Sequence, residues 1–176
     1  MLKLVPFSQA HFETLGSWFF SEADLVQWGG PFVTFPLDAG QLGAMLAEAA
    51  ASPPTRVCWM VESDGTAIGH AQLGLDWRNG VALLSRVAIA PQARGLRLAL
   101  PMLRLVVDKA FAKAEIARVE LKVYTWNQPA IRVYERLGFR MEGIRRSSAR
   151  VGKERWDTAI MGLLRGEWLD GAAQEP

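Results

Sequence analysis

The sequence predicts a mixed α/β domain built on one central sheet, mostly antiparallel, with a single parallel strand pair and flanking helices. Three observations lead there. Asp64-Gly65 separates the apolar runs "RVCWMVES" and "AIGHAQLGLDW", and this turn pair favours positive φ, so the two runs pair antiparallel. A third run, "GVALLSRVAIA", gives way after Pro91 to helical spacing and then to the strand-like "ARVELKVYT". Such a strand, helix, strand unit sets its strands side by side and parallel, with a right-handed crossover. Finally, "FRMEGIRRSSA" and "KERWDTAIMGLL" form a closing hairpin around Gly152-Lys153.

Taken in order, "LKLVPF" is a short first strand, and Ser8 caps a helix through "QAHFETLGSWFF" whose Phe12, Leu15, Phe19 and Phe20 fall to one side. Two glycines and two prolines make Trp28 to Pro36 a loop, continuous with the preceding "FSEADLVQ". In "LDAGQLGAMLAEAAAS", Leu42, Met45, Leu46 and Ala49 recur at helical spacing until Pro53-Pro54 stops the helix. "GVALLSRVAIA" is nearly continuous rather than alternating, which predicts a central strand covered on both faces. The helix after it runs from about Gly95 to Ala114, with Ala99, Met102, Leu103, Val106, Ala110 and Phe111 on one face. "NQPAIRVYERLG" is a short helix with Asn127 as N-cap, Pro129 in the first turn and Gly138 just past the end.

With 176 residues, half of them apolar, one domain of ordinary size is expected, its core about 2–165 and a polar tail at 166–176. A formal charge of +2 is too small to point to nucleic acid or a membrane surface as partner. The single Cys58 excludes an intramolecular disulfide, sits in an apolar run as a small core residue, and suits a reducing compartment. "MLKLVPFSQAHFETL" lacks a basic segment followed by a long apolar run, so a cytoplasmic protein is expected. The closing strand, as a sheet edge, is compatible with a homodimer.

Chemistry concentrates at "APQARGLRLAL", Ala90 to Leu100, where a strand turns into a helix. A helix N-terminus offers unpaired N–H groups and partial positive charge, and Arg94, Gly95 and Arg97 at its mouth suit phosphates. No Gly-Lys-Ser/Thr follows and the dinucleotide glycine fingerprint is missing, which argues against nucleotide hydrolysis and hydride transfer.

"VAIAPQARGLRLALPML", followed by "RVELKVYTWNQPAIRVYERLGFRMEG", resembles the GNAT superfamily of N-acetyltransferases. The later part, with its Asn, short helix, "LGF", "EG" and final Gly-Lys turn before Trp156-Asp157, resembles the ribosomal-protein alanine acetyltransferase group. The likeness runs from roughly Val81 to Leu164. It implies one acetyltransferase domain whose parallel strands splay apart, acetyl-CoA as cosubstrate without a metal, and direct attack by a primary amine, either a protein N-terminus or a small amine. A non-catalytic acyl-CoA-binding module on the same fold is the alternative.

By the same resemblance, Val87, Ala88 and Ile89 line the pantetheine arm, and Arg94, Gly95, Leu96, Arg97, Leu98 and Ala99 hold the pyrophosphate. Arg97 stands where the family's middle glycine is normal. Its guanidinium either adds a charge for a phosphate or crowds the cofactor. Asn127 contacts the pantetheine, or caps its helix, or does both. Tyr134 takes the place of the general acid beside the sulfur, with packing on the helix's inner face as the bland alternative. The strand position where the family often has a carboxylate holds Ser85 and Arg86, so the base is open among Glu22, Asp24, Glu62, His70 and Asp76. An α-amino group, with a pKa of about 8, needs little help from a base. Trp18, Trp28, Phe32 and Trp126 are candidate walls of the acceptor site, and Arg140, Arg145, Arg146 and Arg150 form a basic run beside it or a solvated strand face.

Overall fold

A computed structural model describes residues 1–172. The strands β1 (Leu2–Pro6), β2 (Arg56–Ser63), β3 (Thr66–Asp76), β4 (Val81–Ile89), β5 (Arg118–Tyr124), β6 (Arg140–Val151) and β7 (Glu154–Leu164) form one seven-stranded sheet in the order β1-β2-β3-β4-β5-β7-β6. All neighbours are antiparallel except β4 and β5, the parallel pair expected from the strand, helix, strand pattern. Asp64 (φ 51°) and Gly65 (φ 80°) make the β2–β3 turn with both central residues left-handed, as that residue pair favours.

Helices α1 (Phe12–Gly16), α2 (Glu22–Gly29) and α3 (Ala39–Ala49) precede the hairpin; α4 (Ala99–Phe111), α5 (Gln128–Arg136) and α6 (Arg165–Ala172) follow it. The two sheet faces are told apart by two contacts. Gln72 Nε2 donates to Met45 Sδ of α3 (3.4 Å), so the face that carries Gln72 lies under α3. A Cβ added at Gly69 would meet Met102 Sδ of α4 at 2.5 Å, so the alternate face lies under α4. On the α4 face, Leu73, Leu84, Leu121 and Met161 are paired in one row across four strands and are fully buried with Met102, Leu103 and Val106. Each such side chain contributes about 2 kcal/mol of burial, which makes this row and α4 the rigid floor under the site.

Four expectations are corrected. The helix from Ser8 divides into a 3-10 turn at Gln9–His11 and the short α1, which ends at Gly16. Residues 22–29, expected as loop, form α2: Ser21 Oγ accepts from the Asp24 N–H (3.1 Å), and Leu25, Val26 and Trp28 are buried. Helix α4 begins at Ala99 rather than Gly95, because Gly95 (φ 81°) and Arg97 (φ 58°) hold left-handed backbone that no helix accommodates. Central strand β4 is fully covered only at Ala82 and Leu84; from Ser85 to Ile89 it is half-buried. Of the expected polar tail, 166–172 belongs to α6, and 173–176 lies outside the described residues. Among the described residues, no helix is long and apolar enough to cross a membrane.

Candidate active site

The parallel pairing of β4 with β5 runs only from Val81↔Arg118 to Leu84↔Leu121. Beyond it β5 stays with β7, and β4 stays with β3, so the two strands part and open a cleft of about 750 Å³. Its walls come from Leu83 to Ile89 of β4, Lys122 to Tyr124 of β5, the end of α2, and α5. Backbone N–H and C=O groups on the β5 side of a strand that has lost its neighbour are free to pair with an extended ligand.

A β-bulge sharpens the parting. His70 pairs with Ala88 and Gln72 with Ser85, so Ala71 faces both Arg86 and Val87. Arg86 is left-handed (φ 49°), and its carbonyl accepts two hydrogen bonds, from Trp28 Nε1 (2.7 Å) and from His70 Nδ1 (2.8 Å). His70 Nδ1 therefore carries the proton and Nε2 is left as an acceptor, 3.4 Å from Gln72 Nε2. Gln72 Oε1 in turn accepts from Arg56 (2.9 Å), whose Nε pairs with Glu48 (2.7 Å). A chain of hydrogen bonds that starts at the exposed Glu48 of α3 and passes through Arg56 to the buried Gln72 and His70 thus pins the bulged strand. Burial, which outweighs the bond to the Arg86 carbonyl, pushes the His70 pKa down to about 4, so the ring is neutral and structural rather than a base.

Between about pH 6.5 and 4 the unfolded His70 binds a proton that the folded ring refuses, so stability falls as pH drops through that window. We expect His70→Gln, which keeps a donor but cannot titrate, to lose roughly 2 kcal/mol of the wild-type stability difference between about pH 7 and about pH 5. Urea unfolding at the two pH values reads it; an unchanged difference assigns the pH dependence elsewhere.

At the other end of the cleft, the 3-10 turn Pro91–Ala93 leads into Arg94, whose Nε donates to the Ile89 carbonyl (3.3 Å). Leu98 stands at the N-cap of α4 and, being apolar, gives the first-turn N–H groups no side-chain cap of its own. Arg97 is exposed and takes the left-handed backbone that favours glycine, keeping the loop's course with its side chain outside the cleft lining. Asn127 Oδ1 caps α5 by accepting from the Ala130 N–H (3.3 Å), and the residue also lines the cleft. Tyr134, on the buried face of α5 and edge-on to Phe139 (5.9 Å), lines it too. Burial pushes its pKa up to about 12, so the phenol keeps its proton at neutral pH.

The profile of the acetyltransferase (GNAT) family matches residues 20–139, which hold β4, the loop, α4, β5 and α5. The chain belongs to that family. A curated relative, the SPbeta prophage-derived uncharacterized N-acetyltransferase YokL of Bacillus subtilis (strain 168), is 30% identical over 109 residues, 61% of each chain. The match therefore spans about three fifths of that relative's length. Among solved structures, spermidine N-acetyltransferase from Vibrio cholerae in complex with CoA and spermine superimposes with a TM-score of 0.82 at 18% identity, over 96% of this chain and 98% of that one. A dodecameric structure of spermidine N-acetyltransferase from Vibrio cholerae gives 0.77 at 19% identity, covering 97% and 98%. These likenesses establish the GNAT fold, with its splayed strand pair.

Within this GNAT cleft the structure brings together Val87, Ala88, Ile89, Arg94, Ala99, Asn127, Tyr134, Trp28 and Phe32. Gly95, Leu96, Arg97 and Leu98 bridge Arg94 to Ala99 outside the lining. Trp126 also stands outside it, because its ring stacks on Tyr124 (6.3 Å) and meets Trp156 edge-on (5.1 Å) against the β6–β7 hairpin. Trp18 is a core residue. Of the base candidates, Asp24 alone lines the cleft. Asp76 is exposed and bonded to Asn79, and Glu22 and Glu62 lie elsewhere. Cys58 is buried, and burial raises its thiol to about 11, which makes it an inert core residue. Of the basic run only Arg145 reaches the cleft, while Arg140 pairs with Glu167 (3.0 Å). Sequence reasoning missed the bulge at Arg86 and the roles of Arg56, Gln72 and Lys122, which only strand register brings together. Among the described residues no group of His, Cys, Asp and Glu is placed to hold a metal ion.

Proposed function

We propose that this GNAT protein transfers the acetyl group of acetyl-CoA to a primary amine by direct attack in a ternary complex. The observation that carries the reading is the parting of β4 from β5 beside the uncapped start of α4, with Tyr134 in the wall. The free edge of Val87 to Ile89 suits the amide-rich pantetheine, and the loop from Arg94 to Ala99 suits the pyrophosphate. When bound, acetyl-CoA supplies the activated thioester.

The protein's own groups do the rest. Tyr134 Oη holds a proton for the departing sulfur; its raised pKa favours hydrogen-bond donation over complete loss of that proton, since a thiol ionises near 8.5. We assign the Val87 N–H to the acyl oxygen. Asp24, half-buried and already accepting from the Phe20 N–H (3.3 Å), is the carboxylate assigned to the incoming amine. In the transfer one N–C bond forms, one C–S bond breaks, the amine gives up a proton to Asp24 or water, and the sulfur ends protonated. The likeness of the C-terminal half to the ribosomal-protein alanine group supports a protein N-terminus as acceptor, and the spermidine enzymes among the fold neighbours support a small amine. The free β6 edge supports a homodimer, and the reading includes a cytoplasmic location.

Ser85 and Arg86, in place of a carboxylate on β4, favour a second reading, a non-catalytic acyl-CoA-binding module. Steady-state release of CoA thiol, with acetyl-CoA and a panel of amines and N-terminal peptides, separates the two: release with an acetylated product supports the enzyme, and tight CoA binding without release on any acceptor supports the module. For Arg97→Gly we expect CoA to bind about fivefold more weakly by calorimetry, as a guanidinium near a phosphate is worth about 1 kcal/mol. Tighter binding shows instead that Arg97 obstructs the loop.

A further inference from the structure

The acceptor side of the cleft is built from cations, and the sheet register shows that they share one face. Ser85 pairs with Gln72 and Arg56 with Gly74, which puts both on the α3 face. Leu84 and its partner Leu121 face α4, so Lys122, next along β5, turns the other way. Tyr124 shares the side of Lys122; its partner is Thr158, whose own partner is Arg145. Arg86 lies with its guanidinium 5.6 Å from the Trp28 ring of α2. Arg56, Arg86, Lys122 and Arg145 all line the cleft, opposite the face that carries α4 and the phosphate loop, and Asp24 is the one carboxylate lining it among the described residues.

These charges are largely unneutralised. Arg56 has Glu48 at 2.7 Å, but among the described residues no carboxylate lies within 4.0 Å of the Arg86, Lys122 or Arg145 side chain. Arg86 is half-buried, and burial, together with the neighbouring Arg56, disfavours its charge. Ser85 Oγ, also in the cleft wall, is buried with no hydrogen-bond partner. Converging cations and an orphaned hydroxyl in a partly desolvated cleft are relieved by a bound anion and repel a polycation.

We infer that the acceptor is a primary amine that carries its own anionic group, a carboxylate or a phosphate near the amino nitrogen, and that polyamines are poor acceptors. The inference rests on reading the cleft as an acetyl-transfer site. The anion takes the Arg86, Lys122 and Arg145 side and the amino group takes the Asp24 side. The spermidine named for the fold neighbours has the opposite charge.

The test uses four primary amines, β-alanine, O-phosphoethanolamine, 2-methoxyethylamine and spermidine, read both by CoA-thiol release and by calorimetric binding to the CoA-loaded protein. The expected result is kcat/KM at least about tenfold higher for one or both anionic amines than for spermidine, with the neutral amine between. β-Alanine and O-phosphoethanolamine distinguish a carboxylate from a phosphate. Arg145→Glu and Lys122→Glu, two exposed positions on different strands, are each expected to cut the anionic advantage about tenfold and to raise spermidine turnover. Spermidine turned over or bound as well as the anionic amines, or a preference unmoved by both variants, overturns the inference and leaves acetyl transfer standing. Binding of the anionic amines without thiol release on any acceptor supports the charge reading and overturns the transfer reading; neither binding nor release overturns both.

Discussion

Tyr134→Phe is expected to lower turnover at least about tenfold while CoA affinity stays nearly unchanged, a loss of about 1.4 kcal/mol or more confined to the chemical step. The substitution removes one oxygen from a side chain whose ring is packed against Phe139 and the interior of α5, so the fold keeps its aromatic filling. What disappears is the proton on the Tyr134 phenol, whose pKa burial has raised to about 12, while Tyr124, another phenol of the cleft wall, stays in place. A stabilising role alone would move the unfolding midpoint and CoA affinity and leave kcat in place. Unchanged turnover removes Tyr134 from the acid role and leaves the sulfur to be protonated by water.

Trp28→Ala is expected to cost about 3–5 kcal/mol of stability, measured by urea unfolding, because it empties a buried site at the junction of α2 and the sheet. The indole touches Phe19 (4.9 Å), His70 (5.6 Å) and the Arg86 guanidinium, and its Nε1 supplies one of the two hydrogen bonds that hold the left-handed Arg86 carbonyl. Trp28→Phe separates packing from pinning: it keeps most of the apolar volume, loses the donor, and is expected to cost about 1–2 kcal/mol. Acetyl-CoA turnover should fall in the Phe variant by more than its stability loss accounts for, since the bulge that aims Val87 into the cleft has lost a support. Full activity in Trp28→Phe shows that His70 alone sets the bulge.

Much of this architecture is legible in the sequence because local chemistry and global fold agree. Asp64-Gly65 accepts positive φ at both positions, Asn127 and Pro129 open α5, and the change of period after Pro91 marks the parallel crossover. Tyr134 and Asn127 could be singled out because they belong to one contiguous stretch. Helix α2 was hidden: its eight residues run straight into the break Gly29-Gly30-Pro31, and the cap at Ser21 and Asp24 is a weaker signal than that break. The bulge was hidden for a different reason. Arginine carries no local preference for left-handed backbone, so Arg86 is held there by tertiary hydrogen bonds from residues 58 and 16 positions away. The cationic acceptor face is the least legible feature of all, since Arg56, Arg86, Lys122 and Arg145 sit on four different strands and share a face only through the register of six.

A crystal structure of the protein with CoA bound tests the central claim most directly, because one map locates the phosphates, the arm and the sulfur together. The account predicts the pyrophosphate against the backbone from Arg94 to Ala99, the pantetheine along Val87 to Ile89, and the sulfur within about 3.5 Å of Tyr134 Oη. CoA held on another face of the sheet, or a sulfur out of reach of Tyr134 with the cleft between β4 and β5 empty, contradicts it.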